Sequence, residues 1–465
     1  MADTVLAGPT KKFFVEMLTR DIDLEDAILD LLDNCIDGIL RQTNGKSKSK
    51  KPYQGYWAKI TATPTKFTIE DNCGGIPIAI AEKSAFMLGR PDNRDSNIET
   101  VGMYGIGMKR AIFKMGRQCV VTSQPTKSTT YCVTISPGWF NRDNDWELPI
   151  KKTTNRLKEN GTRVEITKLL DVMKIKFNEE ESNFIGDLKD RISELFALII
   201  GKGFEVTVND DPIEPVNLDI LAPSKVGRAK KRIAPYVFQG KVKGVSVSAV
   251  VGFHRGLASE SELEAESRAS RKDAGWTMVC NDRIVLYANK TRLTGWGTGG
   301  VPAYHNQFIA IRGMVVFRSK DSFLLPINTT KRGLDASSEV YLYVLDVMRE
   351  GMKKFTDYTY KWKTRTDETV TEFKDLKKRT VKEIVSSVPE ANWKKVRKGG
   401  SDVSAKKFMP DLPAPSSQSV NKRIQFSRKT KDVSIVAEYL FEDADVSASE
   451  VGAQCFDEIL KEAKS

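Results

Sequence analysis

Between residues 24 and 40 apolar side chains return every three or four positions: Leu24, Ile28, Leu31, Cys35 and Ile39. That spacing predicts one buried face of an α-helix. Asp30, Asn34 and Asp37 occupy i, i+4 and i+7 of the same segment. At about 100° per residue they fall within about 60° of one another, opposite the apolar stripe. Taken alone, such a trio is a solvated polar face. The same residue types also suit phosphoryl chemistry. An acid can orient and deprotonate a water, and an Asn oxygen can ligate Mg²⁺, a hard ion that takes oxygen ligands. Gly45 and the Lys-rich run at 46–51 end the helix.

Three further motifs follow. Asp71-Asn72-Cys73-Gly74-Gly75-Ile76 comes directly after a strand predicted over 67–70. A carboxylate at a strand end can accept a hydrogen bond from an exocyclic amine, and glycines let the backbone approach a planar base. The alternative is a plain tight turn. Gly102-Met103-Tyr104-Gly105-Ile106-Gly107-Met108-Lys109 leads into an apolar helix. Glycines at a helix start expose N–H groups to a phosphate, helped by the helix dipole. Gly161-Thr162 precedes a strand over 163–167 and carries little by itself.

In this order and spacing, the four motifs resemble those of the GHKL ATPases, the superfamily of gyrase, heat-shock chaperones, histidine kinases and MutL. The family helix motif, an acid, three residues, Asn, two residues, Asp, is matched by Asp30, Asn34 and Asp37. Its D-x-G-x-G motif is matched by Asp71 and Gly75, with Cys73 in place of the first Gly. The glycine loop and its Lys109 look most like those of MORC-type members. The resemblance covers residues 10–210. It implies ATP and Mg²⁺ as ligands, Asp30 as the catalytic acid–base group and Asn34 as the metal ligand. Asp37, Asp71, Gly75, Ile76, Gly102, Gly105, Ile106, Gly107, Met108, Lys109 and Thr162 are then the nucleotide contacts. Residues 278–332 are similar to the transducer domain of gyrase, MutL and chaperone ATPases, which reaches the γ-phosphate with a basic residue. Lys331 fits that role, with Arg332 in reserve.

Two departures matter. The family acid is usually Glu, and Asp30 is one methylene shorter, which points to slow hydrolysis or to binding with little turnover. Cys73 adds a Cβ beside the base and is tolerated if its φ is negative.

The fold class expected is α+β: a GHKL-type α/β sandwich over residues 1–215, a transducer-like α/β domain over 216–362, and a helical C-terminal region. That last region divides into a basic helix and linker over 363–431 and a small acidic helical tail over 432–465. Residues 351–431 hold 21 Lys/Arg against 9 Asp/Glu, and residues 432–465 hold 2 against 9. A basic segment before an acidic tail is a partner-binding pattern. Nucleic acid bound through residues 390–431, with Trp393 stacking beside Lys394, Lys395, Arg397 and Lys398, is one reading. A solvated linker is the other.

The six cysteines are scattered with no C-x-x-C pair, so a cytoplasmic setting is expected rather than a disulfide framework or zinc site. The longest apolar run, 195–200, is far short of a membrane span, and the N-terminus has no secretion-signal pattern. The leading function is a slow ATPase acting as an ATP-gated, dimerising switch on a macromolecular partner, nucleic acid or an unknown protein. A non-catalytic, ATP-liganded scaffold or nucleic-acid module is the alternative. A GHKL-fold protein kinase fits less well, because the two histidines, His254 and His305, both follow the nucleotide motifs.

Overall fold

The computed structural model describes residues 10–45, 49–89, 105–126, 128–143, 145–224, 226, 231–258, 272–328, 331, 333–363, 365–396, 403–415 and 424–464. Gly102, Arg332, Arg397 and Lys398 lie outside the described residues.

The first layer is an eight-stranded sheet. Its strands are β1 (Trp57–Ala62), β2 (Phe67–Asp71), β3 (Gly116–Ser123), β4 (Tyr131–Ile135), β5 (Ile150–Lys152), β6 (Thr162–Leu169), β7 (Glu205–Val208) and β8 (Asp211–Pro212). Their order is β5-β4-β3-β6-β2-β1-β7-β8, antiparallel except for β1 against β7. Among the described residues its longer helices are α1 (Lys11–Arg20), α2 (Leu24–Thr43), α3 (Gly107–Met115) and α4 (Phe184–Leu195). Strand residues alternate in burial, so one face carries the core, where Ile60, Phe67, Ile69, Val121 and Ile166 meet Ile28, Leu32 and Ile36 of α2.

Helix α2 differs from its sequence pattern. Ala27, Leu29, Leu32 and Ile36 are buried as well as the expected stripe, because α2 also packs against α3 and α4. Its end matches expectation: Asn44 turns into the left-handed region (φ 48°), and Gly45 follows at φ 61°. The apolar run at 195–200 falls across a helix break, between the end of α4 and a short helical turn at Ala197–Gly201.

The second sheet has seven strands: β10 (Tyr236–Val242), β11 (Val245–Phe253), β12 (Gly275–Cys280), β13 (Arg283–Asn289), β14 (Ile311–Arg318), β16 (Lys394–Lys395) and β17 (Val403–Phe408). Its order is β13-β12-β14-β11-β10-β17-β16. β9 (Ile220–Ala222) pairs separately with β15 (Lys377–Arg379). The stretch 276–287 reads as one strand in sequence but is a hairpin. Asn281 and Asp282, at φ 47° and 71°, make its two-residue turn. The long helix α5 (Glu339–Trp362) covers one face, with Gly351 set so closely that a Cβ there would lie 2.7 Å from Tyr236 and Val251. A short helix, α6 (Val381–Ser387), covers part of the other face through Ile384.

The C-terminal region departs most from the expected helix and linker. β17 adds to the second sheet beside β10, and β16 forms its edge. The acidic tail is the expected pair of helices, α7 (Thr430–Phe441) and α8 (Ala448–Lys464), packed on each other through Ala437 and Val451. At the start of α8 the Glu450 N–H donates to the Ser447 hydroxyl, which donates in turn to the Glu450 carboxylate.

Past residue 215, where a boundary is expected, the second sheet builds an apolar cluster of its own with α5, but it also joins the first sheet's core. Val279, Ile284 and Met314 of the second sheet pack into the same apolar cluster as α4. Among the described residues no helix is long and apolar enough to cross a membrane.

Candidate functional site

Asp71 ends β2. Because side chains alternate, it points to the same side as Phe67 and Ile69, toward α2. Its Oδ1 accepts from the Cys73 N–H at 2.7 Å and the Thr162 N–H at 3.3 Å, and Cys35 Sγ lies 3.6 Å from Oδ2. Burial outweighs these hydrogen bonds and raises the carboxyl from 3.8 to about 6. Gly161 permits this packing, since a Cβ there would sit 1.7 Å from the Asp71 carbonyl oxygen. The motif that carries least by sequence is therefore sterically the most demanding. Cys73 is buried and is not in the left-handed region; Gly74 and Gly75, at φ 91° and 68°, make the turn instead. Gly38 of α2 lies against it, where a Cβ would be 2.7 Å from the Cys73 carbonyl oxygen.

Asp30 is buried at 8% exposure, which excludes a solvated face at its position, whereas Asn34 is exposed and Asp37 intermediate. The start of α3 meets Asp30: a Cβ on Gly107 would lie 2.9 Å from Asp30 Oδ2. Lys109 is buried on α3, and its Nζ donates to the carbonyls of Ala85, at 2.9 Å, and Gly105. Burial pushes its ammonium down to about 8. No carboxylate pairs with it among the described residues, which suits it to an arriving anion.

Lys331 crosses to α2 from the loop that precedes α5. Its Nζ lies 2.9 Å from Asp30 Oδ1 and 2.8 Å from Asp33 Oδ2. Burial opposes its charge, but the two carboxylates outweigh burial and hold the ammonium above its ordinary 10.5. Its backbone is left-handed at φ 56°, which costs a residue with a Cβ on the order of 1–2 kcal/mol. The N–H of Lys331 donates to the Asn328 carbonyl, which closes this turn.

The catalytic and nucleotide-contact residues expected from sequence, apart from Gly102 and the reserve Arg332, both outside the described residues, line one cavity of about 240 Å³. Within its lining Asp71 is bonded to Thr162 and Asp30 to Lys331, and Gly105, Ile106, Gly107, Met108 and Lys109 contribute one continuous stretch of chain. Residues 22–169 match the family described as histidine kinase-, DNA gyrase B-, and HSP90-like ATPase. This is the GHKL group, and the matched stretch spans α2, α3 and β1 to β6. A search of curated proteins finds no match. The second sheet and Lys331 lie beyond the matched GHKL stretch.

The donor set fits a nucleotide with its ion. A buried carboxylate, Asp71, could accept from a base amine, and a glycine-started helix and a buried lysine, Lys109, could donate to phosphate. Among the described residues no group of three or more His, Cys, Asp or Glu side chains could hold a metal ion. Asn34, which lines the cavity, offers one oxygen of the kind Mg²⁺ takes, an ion that keeps its waters and binds through phosphates with one or two protein oxygens.

Sequence reasoning does not single out Arg283, whose Nε bonds Asp33 Oδ1 at 2.9 Å. Nothing local in sequence marks a partner 250 positions away. Asp33 itself lies between the motif residues and off the apolar stripe, so periodicity gives it no sign.

Proposed function

We propose that this chain is a Mg²⁺-dependent ATP-binding protein and a slow ATPase of MORC-like type, working as an ATP-gated switch. The observation that carries the reading is the convergence of separate motifs, up to 301 residues apart between Asp30 and Lys331, on one cavity. In this reading Asp71 takes the adenine amine, Asn34 ligates Mg²⁺, and Lys109 with the N–H groups opening α3 holds phosphate. Asp30 orients and deprotonates the attacking water. Lys331 meets the γ-phosphate and reports its presence to the second sheet, and an ATP-dependent homodimer is the state being switched. Six free cysteines accord with a cytoplasmic setting.

Asp30→Asn tests the hydrolytic part. The amide cannot accept the water's proton, so steady-state phosphate release should fall to background while Mg·ATP affinity stays within about threefold. Unchanged release would move the base elsewhere.

The Lys331–Asp30 ion pair favours a second reading. A carboxylate already holding an ammonium at 2.9 Å is poorly placed to take a proton, and the protein would then use ATP as a structural ligand. Wild-type phosphate release no faster than that of Asp30→Asn would support it.

The partner is macromolecular in our reading, with nucleic acid one class. Trp393 is half-buried against the Ile384 cluster with Lys406 Nζ 4.5 Å from its ring centre, so it is not the exposed stacking platform expected from sequence. Lys394 and Lys395 remain exposed and would contact backbone phosphates only. Absence of any association at low salt in an anisotropy titration would remove this class.

A further inference from the structure

We propose that Asp33 is a positioning residue that keeps Lys331 at the cavity while Asp30 is released for chemistry; this rests on the ATPase reading above. Asp33 and Arg283 lie behind the cavity, whereas Asp30 and Lys331 line it. Asp33 divides its two oxygens between two cations of the second sheet's domain: Oδ1 to Arg283 Nε at 2.9 Å, Oδ2 to Lys331 Nζ at 2.8 Å.

The two cations are held differently. Arg283 is fixed. Its Nη1 donates to the carbonyls of Leu195, at 3.2 Å, and Ile284, at 2.7 Å, and its guanidinium lies 4.2 Å from the Phe196 ring centre. Its side chain is 3% exposed and that of Asp33 is 5% exposed, so the pair is a rigid post. Lys331 divides its ammonium between that post and Asp30. A phosphate arriving in the cavity competes with Asp30 for the ammonium. It does not reach Asp33, which stays paired on both oxygens. Asp30 thereby loses its cation and becomes free to accept a water proton, and Lys331 keeps a charged anchor that holds Nζ facing the phosphate. Without Asp33, the ammonium has Asp30 as its one carboxylate partner, and leaving Asp30 means leaving its aligned position.

The test compares Asp33→Asn, Lys331→Ala, their double variant, and Asp33→Asn combined with Arg283→Gln. Calorimetry reads Mg·ATP affinity, phosphate release reads turnover, and denaturant midpoints read the clasp without nucleotide. Asp33→Asn should keep affinity within about threefold and lose tenfold to about a hundredfold in turnover, the scale of a displaced catalytic group. The Asp33→Asn/Lys331→Ala double variant should be no slower than Lys331→Ala, because both changes remove one function. The midpoint loss from Asp33→Asn should likewise shrink in the Lys331→Ala background.

The Asp33→Asn/Arg283→Gln pair restores charge balance and guards against simple unfolding. It should remain slow, since Lys331 still lacks its second carboxylate. Recovery of wild-type turnover in that pair, or additive losses in the Lys331 double variant, would overturn the proposal and leave Asp33 as a charge-balancing residue. A wild-type protein that binds no Mg·ATP would overturn the ATPase reading itself, and this inference with it.

Discussion

Asp71→Asn is expected to lose nucleotide affinity and gain stability in the same molecule. An Asn can keep accepting from the Cys73 and Thr162 N–H groups through its Oδ1. What it gives up is the charged oxygen on the Cys35 side, which in the proposed reading accepts from the adenine amine. Losing a charge-assisted hydrogen bond costs about 1.5–3 kcal/mol, roughly ten- to a hundredfold in ATP affinity.

Stability moves the other way. The folded-state carboxyl titrates near 6 and the ordinary value is 3.8, so burial penalises the charged form. Below 3.8 the group is neutral in both states and costs nothing. As pH rises from 3.8 through 6 the penalty grows, reaching up to ~3 kcal/mol above it. The amide never carries the charge. Asp71→Asn should therefore resist denaturant better than wild type at pH 7.5, with the gap closing toward pH 4. Calorimetric ATP affinity equal to wild type would detach Asp71 from the base.

Lys331→Ala is expected to damage both catalysis and the seam between the sheets. Truncation leaves Asp33 with Arg283 alone and takes from buried Asp30 the ammonium that pairs with it, and breaking a buried pair in this way costs about 3–5 kcal/mol. The pH window follows from the directions of the shifts. Lys331 is held above 10.5, so its contribution is complete below that value and is lost only as pH climbs through the raised one. For Asp33, burial favours the neutral form, but Lys331 and Arg283 prevail and keep it below 3.8. Its contribution is present above 3.8 and is lost as pH falls through the lowered value. The loss on truncation should thus be constant from about pH 6 to 9 and shrink in strong acid and in strong alkali. Turnover should fall more than ATP affinity, because the transition state is what the ammonium meets. Equal losses of the two would put Lys331 in ground-state binding instead.

These residues also show what sequence makes legible. The Leu24 period places α2 and thereby fixes Asp30, Asn34 and Asp37 relative to one another, because helical spacing is local. The alternation of Phe67, Ile69 and Asp71 aims Asp71 at α2 for the same reason. Lys331 is legible as a polar residue in a loop, but its left-handed backbone and its seat between two carboxylates depend on packing hundreds of residues apart. Arg283 is silent in sequence, since its turn of Asn281 and Asp282 reads as ordinary strand continuation. Strands β16 and β17 are masked by lysines: Lys394, Lys395, Lys406 and Lys407 raise the charge of a stretch that pairs at a sheet edge, where lysine blocks further pairing. The low hydrophobicity that suggests a linker is the price of that edge.

Calorimetric titration with ATP at pH 8, with Mg²⁺ and with excess chelator, in buffers of different ionisation enthalpy, tests the central claim most directly. At pH 8 Lys109, lowered to about 8 by burial, is partly neutral and Asp71 is ionised, so phosphate drawing on Lys109 should take up proton from the buffer. The account predicts one nucleotide per chain, bound in a Mg²⁺-dependent way, with that proton uptake. No Mg²⁺-dependent heat at any ATP concentration up to millimolar would contradict it.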